Sequence, residues 1–231
     1  MDPVDAAREI VRTRFPDARA AFLAGSVLTS RRTSTSDLDI VVLLAGPPAP
    51  CRESTVHRGW PVELFVQTEA AWRAFADREV AARRSPLLAM CAEGLLLVDR
   101  DTLGAELQAR SRARLAAGPP PVSVQELDDH RYRLTDSLDD LRGCSDPLER
   151  VHLVADLLLR ASEFALLAGG HWLGTGKWLS RRLAEADPEL HRRLMTAAAA
   201  AANGSPAALE TVVEEVLDRA GGPLWSGYLR R

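Results

Sequence analysis

The chain contains 231 residues, 46% of them hydrophobic and 26% charged, with a formal net charge of −3. This hydrophobic content supports a buried core, which excludes a disordered chain, and the weak acidic excess argues against long nucleic-acid duplexes as partners. The three cysteines lie far apart without a CxxC pair, which excludes a disulfide framework and a zinc knuckle.

The N-terminal residues are acidic where a signal peptide needs a basic start followed by an apolar run. No apolar stretch approaches the roughly 18 residues of a membrane-spanning helix. We therefore expect a cytoplasmic protein that has no membrane partner. The sequence leaves the oligomeric state open between a monomer and a homodimer.

The first half of the chain mixes helical and extended patterns. Apolar residues at helical spacing, β-branched runs and turn residues mark its elements. In chain order, the predicted elements are a helix over 3–14, strands over 20–23, 37–44, 52–57 and 60–67, helices over 69–84 and from 86, and a strand over 95–98. Arg58-Gly59, between two of these strands, predicts a hairpin with a short turn.

The second half lacks the alternation that is typical of strands. It follows the linker-like stretch Gly118-Pro119-Pro120-Pro121. Its apolar periodicity predicts helices over 124–141, 147–168, 177–186, 188–202 and 206–220. The sequence therefore predicts an α+β fold, in which a small mixed β-sheet with flanking helices over residues 1–117 is followed by an α-helical bundle over residues 118–231.

The most informative stretch is Gly25-Ser26, ten intervening residues, and then Asp37-Leu38-Asp39 at the start of an apolar strand. Alternate residues of a strand share a face, so the two carboxylates project together and repel each other. The arrangement becomes favourable when a divalent cation that prefers oxygen ligands, such as Mg²⁺, neutralises both. Glu63 lies in the next strongly apolar strand and joins the pair if the two strands are neighbours.

Three carboxylates can hold two Mg²⁺ ions, one lowering the pKa of an attacking hydroxyl and the other clamping a triphosphate and its pyrophosphate leaving group. Gly25 permits close backbone approach to phosphate, and Ser26 and Ser36 are assigned to hold phosphate oxygens of ATP or another NTP. The predicted metal ligands, which are also predicted catalytic residues, are Asp37, Asp39 and Glu63. An ion pair that occupied this cluster would count against the prediction.

These residues resemble the signature of the DNA polymerase beta-type nucleotidyltransferase superfamily, which is Gly-Ser, roughly ten residues and Asp-x-Asp, with a later strand carboxylate. They are most similar to the antibiotic-modifying members of the aminoglycoside and lincosamide type. The resemblance implies a sheet that carries the acidic triad, a helical domain that completes the acceptor site, and transfer of AMP from ATP to a hydroxyl of a small acceptor such as an aminoglycoside-like antibiotic. Many members place Arg-Gly shortly after Gly-Ser, whereas this chain has Val27-Leu28-Thr29.

Three charged residues of the helical half are further candidates. Asp156 and Glu163 lie seven residues apart on one face of an apolar helix, where either could bind the acceptor or act as general base, and Glu163 is favoured. Arg160 offers Asp156 an ordinary ion-pair partner, so a solvated helix face is the alternative. Lys177, at a helix start, resembles the lysine that related enzymes bring to the triphosphate from their helical domain.

Two other interpretations stay open. The chain could be an antitoxin-like nucleotidyltransferase fold that binds or acts on a helical protein partner, although the complete triad and the built-in helical half favour a self-sufficient enzyme. A transferase acting on RNA ends would need a basic track, and this acidic chain offers none.

Overall fold

A computed structural model describes residues 1–230 of the chain. The chain divides into two compact units, Met1–Gly118 and a second unit that begins at Pro119. The division falls inside the proline-rich stretch of the sequence. Each unit has its own cluster of buried apolar side chains, so each has its own hydrophobic core.

The first unit is built on a mixed sheet. Its strands are β1 (Ala20–Ala24), β2 (Leu38–Leu44), β3 (Cys51–His57), β4 (Trp60–Thr68) and β5 (Leu95–Asp99). Across residues 1–118, all of which the structure describes, these five strands form one sheet in the order β3-β4-β2-β1-β5. Strands β2 and β4 are parallel and every other neighbouring pair is antiparallel, which confirms the predicted mixed sheet.

Helices flank this sheet. They are α1 (Pro3–Arg14), α2 (Glu69–Ala81), α3 (Pro86–Glu93) and α4 (Leu103–Ala116). The buried side of α1, which includes Ile10 and Val11, packs against the sheet face formed by Ile40, Leu64 and their same-face neighbours. The buried side chains that β1, β2 and β4 contribute to that face are apolar, and Asp39 and Glu63 project from the opposite face.

The sequence pattern did not predict α4. Its buried residues are Leu103, Gly104, Leu107 and Ser111, so two of the four are small residues that a search for apolar periodicity does not register. Polar side chains complete the packing, because Gln108 donates to the carbonyl oxygens of Cys91 and Gly94 at 3.1 and 2.9 Å. These hydrogen bonds therefore add to the apolar contacts that hold the helix.

Glu9 links α1 to the hairpin formed by β3 and β4. Its Oε1 accepts a hydrogen bond from Arg58 Nη2 at 2.7 Å, and its Oε2 lies 3.3 Å from His57 Nε2. Hydrogen bonding from Arg58, opposed by desolvation, lowers the pKa of Glu9 from 4.5 to about 2. The ionised form of Glu9 is therefore favoured in the folded protein.

We expect Glu9→Gln to destabilise the fold at neutral pH and to have less effect in acid. Because the folded-state pKa is depressed, ionised Glu9 stabilises the fold fully above its unfolded pKa, and this contribution is lost as the pH falls toward about 2. Urea unfolding of both proteins between about pH 7 and about pH 3 measures the difference in free energy of unfolding. A difference that stays constant with pH would contradict the assignment.

The second unit is helical. Its helices are α5 (Val124–Gly143), α6 (Pro147–Ala168), α7 (Lys177–Ala186), α8 (Pro188–Ala202) and α9 (Ala207–Asp218). Leucines at helical spacing form its core, including Leu157 of α6 and Leu194 of α8. Together with the mixed sheet, these helices confirm the α+β fold class. Within residues 1–230, no helix is both long enough and apolar enough to cross a membrane.

Candidate functional site

The parallel pairing of β2 and β4 brings the predicted carboxylates together. Asp39 of β2 is in register with Glu63 of β4, so both side chains leave the sheet on the same face. Asp37 directly precedes β2. One carboxylate oxygen from each of the three lies within 4.8 Å of the other two, and all three residues are half-buried. The condition that the strands be neighbours is therefore met.

The donor set of this cluster fits a divalent ion. Mg²⁺ binds oxygen ligands at about 2.1 Å, so two ligands of one ion lie up to about 4 Å apart, a separation that small carboxylate rotations reach from the observed geometry. All the donors are carboxylate oxygens, which hard cations prefer, and partial exposure leaves room for water or substrate oxygens. The residues present are compatible with a metal site of the kind predicted.

An ion pair reaches into this cluster from β3, and it is the kind of contact that counts against the predicted metal site. Arg52 Nη2 lies 2.8 Å from Glu63 Oε2, and the guanidinium carbon lies 4.9 Å from the centre of the Phe65 ring. Arg52 was not predicted as a site residue. A signal for it existed, because the predicted turn at Arg58-Gly59 fixes the hairpin register and puts Arg52 opposite Phe65, two residues along β4 from Glu63 and on the same face.

Gly25 is the residue against which the cluster packs. Its φ of 92° and ψ of −177° belong to a region that only glycine adopts readily. A Cβ atom added at this position would lie 2.5 Å from Asp39 Oδ2, closer than non-bonded atoms approach. The Gly-Ser turn and the Asp-x-Asp strand therefore depend on each other, since the Asp39 carboxylate uses the space that a side chain would fill.

Two serines fix the loop between β1 and β2. Ser26 begins a single 3-10 turn over Ser26–Leu28, and its Oγ lies 2.8 Å from the Oγ of Ser36. Ser36 Oγ also accepts a hydrogen bond from the backbone N–H of Thr33 at 2.9 Å, and the residue is buried. The structure thus brings Ser36 to Gly25-Ser26 and directly before Asp37, while its predicted phosphate contact stays a prediction.

We expect Ser36→Ala to loosen this loop. The change removes a partner from the Ser26 hydroxyl and the Thr33 amide, and the loss of such hydrogen bonds costs about 1–2 kcal/mol in free energy of unfolding. Urea denaturation measures this cost. Ser30→Ala, a change in the exposed part of the same loop, is the control and should be neutral. Equal free energies of unfolding for the two variants would show that the hydrogen bonds of Ser36 do not stabilise the loop.

The remaining candidates lie in the second unit. Asp156 accepts hydrogen bonds from Ser137 Oγ at 2.8 Å and Arg160 Nε at 2.5 Å, and although partial burial opposes the shift, these contacts lower the pKa of its carboxyl. Glu163 is half-buried on α6, where its charge opposes the lowering of the pKa of His130 by burial. Lys177 is exposed at the first position of α7. The roles assigned to Glu163 and Lys177 stay predictions.

Comparison with known proteins adds little to this geometry. No protein-family model and no curated protein sequence matches the chain. The chain is similar in fold to the crystal structure of a nucleotidyltransferase-like protein from Exiguobacterium sibiricum 255-15, with 13% sequence identity and a TM-score of 0.47. The match covers 93% of this chain and 74% of that chain. At this identity and TM-score, the likeness alone assigns neither a family nor an activity to this chain.

Proposed function

We propose that the chain is a magnesium-dependent nucleotidyltransferase of the DNA polymerase beta-type superfamily. It transfers a nucleoside monophosphate, AMP from ATP in our first assignment, to a hydroxyl of a small acceptor and releases pyrophosphate. The observation that carries the proposal is the convergence of Asp37, Asp39 and Glu63, from two parallel strands, beside the Gly25-Ser26 turn. An acidic cluster alone is common, but one that packs a carboxylate onto a glycine in a conformation that other residues avoid is not an ordinary surface feature.

The residues of the cluster have distinct tasks in this proposal. Divalent ions held by these carboxylates would lower the pKa of the acceptor hydroxyl and neutralise charge on the triphosphate. Asp37 and Asp39 would bind both ions, and the backbone at Gly25 would come close to the phosphate oxygens. Ser26 offers a hydroxyl at the same edge of the sheet. Glu63, on the far side of Asp39 from Gly25, would bind the ion nearer the attacking hydroxyl.

The acceptor class in this proposal is an aminoglycoside-like antibiotic or another small hydroxylated molecule. The carboxylates of Asp156 and Glu163 on α6 support an acceptor that carries amines, because carboxylates bind ammonium groups by charge-assisted hydrogen bonds. Asp156 is already engaged by Arg160 and Ser137, which favours Glu163 as the acceptor-binding group and candidate general base. Lys177 is assigned to the triphosphate.

Pyrophosphate release tests the proposed activity. Purified protein is incubated with Mg²⁺, each common NTP in turn, and a panel of hydroxylated acceptors that includes aminoglycosides, lincosamides and a helical protein partner. The proposal expects release that needs both one acceptor class and Mg²⁺, and that stops when the metal is chelated. Release that needs a protein acceptor would favour an antitoxin-like transferase, and release that persists with the metal chelated would reject the proposed chemistry.

A further inference from the structure

Arg52 lies where a long side chain reaches the third carboxylate of the cluster. In the antiparallel β3–β4 pair, Arg52 is opposite Phe65 and Ser54 is opposite Glu63. Residues that are diagonal across two strands are within reach of each other when one side chain is long, and the two share a face. The guanidinium accordingly lies over the Phe65 ring and contacts Glu63 Oε2.

The guanidinium and a divalent ion would use the same carboxylate. Arg52 always carries a full positive charge. Glu63 must offer a carboxylate oxygen to bind an ion, and Arg52 competes for that oxygen. The Arg52 side chain is 63% exposed and that of Glu63 is 30% exposed, so the guanidinium can move into water without disturbing the core. The ion pair is therefore weak enough to be displaced and well placed to oppose metal binding.

We propose that Arg52 is a built-in counter-cation of the carboxylate cluster. It neutralises Glu63 while the cluster holds no metal, which reduces repulsion among the three acids, and a divalent ion must displace it. Arg52 thereby weakens the divalent affinity of the site and acts through Glu63 as a positioning residue. This inference rests on the metal-binding part of the proposed function, and nothing in it depends on the identity of the acceptor.

A neighbouring ion pair supplies the matched control. Arg14 of α1 makes two hydrogen bonds, of 2.9 and 2.8 Å, to Glu53, the residue after Arg52 on β3. Glu53 is in register with Leu64, whose side chain is on the α1 side of the sheet, so this pair lies on the face opposite the cluster. Arg14→Gln and Arg52→Gln each remove one positive charge and one exposed ion pair that involves a residue of β3, but only Arg52 contacts the cluster.

Titration with Mn²⁺ alone tests the proposal, with free Mn²⁺ measured by electron paramagnetic resonance. Removing a competing ion pair of this exposure should make Arg52→Gln bind Mn²⁺ about fivefold more tightly than the wild type. Arg14→Gln should bind as the wild type does, and Arg52→Lys, which keeps the charge, should stay close to it. An Arg52→Gln affinity that is unchanged or weaker would overturn the counter-cation role.

A double-mutant cycle separates action through Glu63 from a general change in charge. In a Glu63→Gln background, Arg52→Gln should give little further gain in Mn²⁺ affinity, and a full fivefold gain there would overturn the inference. Thermal unfolding of each variant checks that the fold is kept. If neither the wild type nor Arg52→Gln binds Mn²⁺, this inference and the proposed function both fail. If Arg52→Gln binds Mn²⁺ more tightly as expected but no NTP and acceptor give pyrophosphate release, the proposed function is rejected and this inference stands.

Discussion

Replacing Asp39 by asparagine should reduce magnesium-dependent pyrophosphate release by about a thousandfold or more, the equivalent of about 4 kcal/mol of transition-state stabilisation. Asparagine has the same shape as aspartate but lacks the negative charge. Asp39 stands at the centre of the cluster, in register with Glu63 on one side and against Gly25 on the other. The substitution therefore removes the charge of one of the three carboxylates that would bind the ions.

The control for this substitution is Asp17→Asn. Asp17 is exposed and precedes β1, whereas Asp39 pairs with Ala24 at the other end of that strand, so the control removes the same charge away from the cluster. Both variants should unfold at temperatures close to that of the wild type, and only Asp39→Asn should lose turnover. Retention of turnover in folded Asp39→Asn would reject the metal-ligand assignment.

Gly25→Ala should both destabilise the fold and weaken the divalent site. Forcing a side chain into this backbone conformation costs about 1–3 kcal/mol. The new methyl group would also lie 2.5 Å from Asp39 Oδ2, so the carboxylate must move away from its partners. We expect urea unfolding to show the first effect, and Mn²⁺ titration to show an affinity that is about tenfold weaker or worse.

Gly59→Ala separates these two effects. Gly59, in the hairpin turn between β3 and β4, also has a positive φ, of 83°, but a Cβ there would meet nothing within 4 Å. This variant should share the cost of backbone strain and keep the Mn²⁺ affinity of the wild type. Equal losses of Mn²⁺ affinity in both variants would mean that Gly25 acts through stability and not through its contact with Asp39.

The sequence was sufficient to predict the cluster because its signals are local. Asp37 and Asp39 share a face by the alternation of a strand, and Gly25 stands at a turn that its conformation explains. The sequence predicts that Glu63 joins the two aspartates only if its strand lies next to theirs. Whether β2 lies next to β4 is decided by long-range packing, since the connection through β3 allows other sheet orders.

The features that the sequence did not predict depend on polar contacts, which leave no trace in the spacing of apolar residues. Helix α4 was missed because Gly104 and Ser111 form part of its buried side, and its position is fixed by hydrogen bonds to α3 and the loop beyond it. The contact of Arg52 with Glu63 follows from the hairpin register together with side-chain length. It could be predicted only by comparing residues that lie diagonally across the two strands. The partly buried hydrogen bond between Ser26 and Ser36 depends on the path of the loop between them.

The most direct measurement is the anomalous scattering of crystals grown with Mn²⁺ and a non-hydrolysable ATP analogue. The account predicts a Mn²⁺ peak within ligand distance of Asp37, Asp39 and Glu63, with the triphosphate next to Gly25-Ser26 and Arg52 withdrawn from Glu63. A crystal in which the analogue or Mn²⁺ binds elsewhere, while Glu63 keeps its ion pair with Arg52, would contradict it.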